Sequence, residues 1–76
     1  MQEIFNNISD EVKNVARTTW NIALTRPNPI LAAEFLKSVT DEYSKIYSEE
    51  EMQFFDFYFN MQFLLYEYIT EEQRYD

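Results

Sequence analysis

From Ser48 to Ile69 the chain reads SEEEMQFFDFYFNMQFLLYEYI, a long aromatic and aliphatic run with no Gly or Pro in it. That run restricts the fold more than any other feature. Ser48 followed three residues later by Glu51 is the pattern of a capping box. Glu49, Glu50 and Glu51 then fall in a first turn, where the helix dipole favours negative charge. Aromatic β-formers make a strand the competing reading. Strict alternation is missing, however, and the run is about three times a usual strand length. The pattern therefore predicts a helix over 49–69 with a frayed end. At 100° per residue, Gln53, Asp56, Asn60, Glu67 and Glu71 share one narrow polar stripe, leaving an apolar arc of roughly 260°. Tyr58, Leu65 and Ile69 lie near the centre of that arc, with Phe54 and Phe55 beside them. Phe57, Met61, Leu64 and Tyr68 form one flank; Met52, Phe59 and Phe63 form the other.

Two neighbouring helices cannot cover so wide an arc, and the chain has room for only two more. Its 76 residues make a single domain, 1–76, with a thin core. Zero Cys excludes a disulfide framework and thiol chemistry. Zero Gly argues against tight hairpins and phosphate-binding loops. The opening MQEIFNNISDEV lacks the basic and apolar regions of a secretion signal. No stretch approaches the ~18 apolar residues of a membrane span, since Asp56 and Glu67 interrupt the nearest candidate. The expected setting is the cytoplasm.

Upstream, Ile4, Phe5, Ile8, Val12, Val15, Ala16, Thr19, Ile22 and Ala23 share one helical face. They predict a helix over about 9–25, reaching back to residue 3 as an attached first turn, with Ser9 as the cap. Trp20 and Leu24 stand to one side of the stripe, where they would close the core's edge, and Arg17 is free to stack on an aromatic. The segment Thr25-Arg26-Pro27-Asn28-Pro29 is a break: Pro27 disfavours helix at Arg26, Asn28 suits an N-cap and Pro29 suits the first helical position. A second helix follows over 29–47, with the stripe Ala32, Phe35, Leu36, Val39, Tyr43, Ile46 and Tyr47. Glu34 with Lys37, and Asp41 with Lys45, are spaced as ion pairs. The short link at Ser48 makes the second and third helices antiparallel neighbours. The expected fold is all-α, a small three-helix bundle.

Catalytic groups are scarce. There is no His and no Cys, and the paired carboxylates sit where amphipathic helices keep solvated charge. Neither a Glu-x-x-His motif nor a Gly-centred calcium loop is present. The expectation is a protein that is not an enzyme, with no metal and no cofactor. Gln62 lies opposite the polar stripe. It reads as a satisfied core amide or, alternatively, as a polar residue that sets the register of a symmetric helix pair.

Charge points to a partner. Residues 1–45 carry five bases against six acids, and residues 46–76 carry Arg74 against eight acids, so the stated net charge of −8 divides as −1 and −7. Such a chain disfavours direct contact with nucleic acid or an anionic membrane. In composition it resembles, in a general way, small host-directed proteins carried by viruses and plasmids. The expected function is a small acidic protein-interaction module, an inhibitor or adaptor for a basic protein, with nucleic-acid charge mimicry as one route. The alternative is a homodimeric structural or regulatory subunit that uses the aromatic flank as its seam. The residues expected to meet the partner are Glu49, Glu50, Asp56, Phe57, Met61, Leu64, Glu67, Tyr68 and Glu71.

Overall fold

The computed structural model of the chain describes residues 7–74, with side chains as far as Tyr68. Ile4 and Phe5, and the extension of the first helix to residue 3, lie outside the described residues. So do the side chains of Ile69 and Glu71.

Three helices form where the end signals stand. Helix α1 spans Asp10–Ala23; the Ser9 hydroxyl accepts from the Val12 amide at 3.2 Å, and Asp10 and Glu11 occupy the first turn. Its last turn closes on tightened bonds, Thr25 N–H to the Ile22 carbonyl and Arg26 N–H to the Ala23 carbonyl, both at 3.0 Å. The expected end at residue 25 thus falls in a turn. Helix α2 spans Pro29–Tyr43, with the Asn28 side chain accepting from the Leu31 amide at 2.9 Å and Pro29 in the first turn.

Helix α2 stops at Tyr43, short of the expected residue 47. Lys45 and Ile46 donate to carbonyls three residues back, at 3.1 and 2.9 Å. The Thr40 and Ser44 hydroxyls bond the Lys37 and Asp41 carbonyls. Such side-chain bonds offer the backbone an alternative to the helical ladder. Ile46, expected on the core stripe, is consequently 73% exposed.

Helix α3 spans Glu49–Arg74, five residues beyond the expected boundary at 69. The capping box is complete: Ser48 N–H donates to Glu51 Oε1 at 2.8 Å, and Glu51 N–H donates to Ser48 Oγ at 3.2 Å. At 1.5 Å per residue α3 is about 39 Å long against about 21–23 Å for its neighbours. It starts beside the end of α2 and outruns them both.

All three helices pack against one another. Ala16, Ala23 and Ala32 are buried, and Phe55 is the one large side chain with no exposure among the described residues. Tyr43 and Tyr47 hold Phe55, with ring centroids 5.2 and 5.1 Å away. Trp20 meets Phe63 and Tyr66 edge to face at 6.2 and 6.1 Å. Trp20 therefore belongs to the core rather than to its edge, while Ile22 faces outward. The Thr19 and Tyr43 hydroxyls bond at 2.9 Å across α1 and α2. Arg17 donates to Asn14 Oδ1, and the cation over an aromatic ring is Arg26, 4.9 Å from the centre of Phe35. Lys45 pairs with Glu42 at 3.5 Å instead of with Asp41.

Helix α3 is rotated from the orientation that its apolar arc implies. Phe54, Phe55 and Phe59 are buried, and Met52, Tyr58, Phe63 and Tyr66 pack partly against them. Leu65, expected near the centre, is 53% exposed. On the 100° construction the buried side sits about 70° from the arc's middle. The short turn into α3, with Tyr43 at the end of α2 and Tyr47 in the turn itself, fixes Phe55 inward. Trp20 does the same for the Phe63 and Tyr66 side.

Candidate functional site

The rotation buries one flank of α3 and turns the other outward. Phe57, Met61, Leu64 and Tyr68 are 48, 45, 66 and 65% exposed. They follow one another at steps of four, three and four residues, which places them within about 60° on the helix surface. This lane is about 16 Å long, from the rise of 1.5 Å per residue. It points almost directly away from Phe55 and Phe59, and hence away from α1 and α2.

A second lane runs beside it. Glu49, Gln53, Asp56, Asn60 and Glu67 are all exposed and lie roughly 80° round from the apolar line. Glu50 stands at the head of the apolar lane itself, and Glu71 continues the polar lane as a helical position. Glu51 is set apart, because its carboxylate is engaged in the cap. The expected partner residues with described side chains are thus all on the surface, on adjoining lanes of one helix. The two lanes meet at a shallow groove of about 400 Å³ lined by Gln53, Asp56, Phe57, Asn60, Met61 and Leu64. The Asp56 carboxylate is flanked there by two side-chain amides, one turn back and one turn on. Such a groove presents oxygen acceptors to a cation along one wall and apolar area along the other.

Asp56 and Asn60 also border a groove on the α2 side, whose floor is Leu36 and Phe59 and whose opposite wall carries Lys37. A cation of the chain itself therefore faces the acidic lane from α2. A third groove, between α1 and α2, holds the Thr19–Tyr43 hydroxyl pair beneath Glu11, Asn14 and Thr18. Sequence reasoning missed this pair. Thr19 was legible as a core position and Tyr43 as another, but their facing hydroxyls depend on how α1 and α2 cross. Near this end of the bundle the Tyr47 phenol is pushed above its ordinary value of 10.0 by burial, then by Tyr43, Glu11 and Glu51.

Gln62 is half-buried. Among the described residues every buried side-chain nitrogen and oxygen has a partner. No cluster of three or more acidic side chains is arranged to hold a metal ion among those residues, and no helix there is long and apolar enough to cross a membrane. No protein-family model matches the sequence, and neither a curated protein nor a solved structure is significantly similar to it.

Proposed function

We propose that the chain is a small, non-catalytic protein-interaction module, an inhibitor or adaptor whose outward α3 face binds a protein with a basic surface. The observation that carries this reading is the exposed row Phe57, Met61, Leu64 and Tyr68 running beside Glu49, Asp56 and Glu67. Aromatic residues and Met are enriched in the cores of protein interfaces, and charged residues belong at their rims. A lane of that kind with acids along one side favours a partner with apolar area beside cations. Likeness to a nucleic acid is confined to the sign of the charge. Glu49, Asp56 and Glu67 stand about 10 and 16 Å apart along the axis, whereas duplex phosphates follow at about 1.7 Å of axis per charge.

The test is capture from an extract of the native host, with Met61→Ser and Leu64→Ser combined in one variant. Both positions are exposed, so the fold should persist by circular dichroism. A protein retained by the wild type and lost by the variant supports the reading. Retention that survives both changes puts the site elsewhere.

A second reading is supported by the spacing of the same lane. Steps of four and three are those of a coiled-coil seam, so two copies could pair their α3 helices about a two-fold axis. In an antiparallel pair both acidic lanes fall on the same side of the seam. Such a dimer should tighten as salt rises, the opposite of a complex with a basic partner. Sedimentation equilibrium across a salt series separates the two.

A further inference from the structure

Resting on the basic-partner reading, the geometry points to a particular occupant: we propose that the outward face of α3 binds an amphipathic helix whose apolar ridge lies on Met61 and Leu64 and whose flanking arginine enters the groove at Asp56. Three features select it. The lane repeats at four, three and four residues over Phe57, Met61, Leu64 and Tyr68, and a second helix repeats its side chains in matching register along such a seam. The face belongs to a helix whose backbone groups are bonded within it, so it offers no edge to an added strand. Beside the seam, Asp56 stands between Gln53 and Asn60 in a groove whose other wall is Phe57, Met61 and Leu64.

That groove matches the guanidinium group better than the ammonium group. A guanidinium is planar, weakly hydrated and forked, so it can donate to a carboxylate and a neighbouring amide oxygen while lying against an apolar wall. An ammonium is compact and strongly hydrated, and gains less from such a wall. In a helical partner the arginine belongs at a position flanking the apolar ridge, where coiled coils carry their interhelical ion pairs.

The probes are three synthetic peptides of about five helical turns. The first carries Leu on the seam and Arg on its flanks. The second replaces each Arg with Glu. The third keeps the Arg composition but has two central prolines that bar a helix. Binding is read by fluorescence anisotropy against the wild type, Leu64→Asp, Asp56→Asn and Glu42→Gln; Glu42 is an exposed acid on α2, away from the seam.

The Arg peptide should bind the wild type and gain helical circular dichroism as it does so. The Glu and proline peptides should bind at least about tenfold more weakly. Leu64→Asp should abolish binding, Asp56→Asn should weaken it about tenfold, or about 1.4 kcal/mol, and Glu42→Gln should leave it unchanged. Equal binding of the proline peptide would overturn the helical occupant while leaving the basic-partner reading intact. Equal weakening by Asp56→Asn and Glu42→Gln would reduce the contact to diffuse attraction and remove the arginine site. Failure of the Arg peptide to bind, alongside a host protein that still depends on Met61 and Leu64, would overturn the helix alone. Failure of the broader reading appears separately, as host-protein capture that ignores those two residues.

Discussion

Replacing Phe55 and Leu65 by alanine, one at a time, tests how α3 is seated. The apolar pattern places Leu65 near the middle of the arc and Phe55 beside it, yet the fold buries Phe55 completely and leaves Leu65 53% exposed. Phe55→Ala removes a ring held by Tyr43, Tyr47 and Phe59, with centroids 5.2, 5.1 and 5.9 Å away. Loss of a buried Phe costs about 3–5 kcal/mol through transfer and cavity terms. A domain of this size has a total stability of about 4–11 kcal/mol at 0.05–0.15 kcal/mol per residue. The variant should therefore lose a large part of its stability, with an unfolding midpoint far below that of the wild type. Leu65→Ala should change stability by about 0.5 kcal/mol or less, the scale of an ordinary surface substitution.

The assay is urea unfolding followed by circular dichroism and by Trp20 fluorescence. Trp20 sits in the core against Phe63 and Tyr66, so it reports the same packing. A loss of more than about 2 kcal/mol for Leu65→Ala would place that side chain in a packed core. Together with a small effect of Phe55→Ala, it would refute the rotation of α3 and the two-lane surface that depends on it.

Removing the cap oxygens, as Ser48→Ala or Asn28→Ala, should each cost about 1 kcal/mol in urea unfolding. Tyr43→Phe should cost more than Thr19→Val, because Thr19 is 4% exposed and would keep an unpaired hydroxyl; unsatisfied buried groups cost about 1–3 kcal/mol, whereas a typical bond contributes about 1. The Tyr47 pKa is raised on folding, so folding favours its protonated form. Stability should be unaffected by this group below about pH 10, its unfolded value, and fall as pH rises through the folded value; a thermal-unfolding series above pH 10 should show a shallower fall in Tyr47→Phe.

The helices were legible because their signals are local. Ser9, Asn28 with Pro29, and Ser48 with Glu51 each stand within one turn of the amides they satisfy, and each does so in the fold. The C-terminal ends were less legible. The Ser44 and Thr40 hydroxyls compete with the ladder without leaving a mark in the apolar periodicity. The seating of α3 was not legible either, since an arc of about 260° permits many rotations. Side chains outside α3 choose among them: Tyr43, Tyr47 and Trp20 select Phe55, Phe63 and Tyr66. The outward flank was legible for a different reason. A bundle of three cannot cover all of α3, and Phe57, Met61, Leu64 and Tyr68 border the acidic stripe.

On the proposed reading this flank and its acids together engage a basic protein. The association rate of the captured partner decides it, taken at low and high salt for the wild type and for Asp56→Lys combined with Glu67→Lys. Exposed charges are screened beyond about 8 Å at physiological ionic strength, and charge complementarity acts chiefly on the encounter rate. The wild type should associate fast at low salt and much more slowly at high salt, and the double reversal should be slow at both. A rate that ignores salt and survives the reversal would contradict the claim and leave the acidic lane without a part in binding.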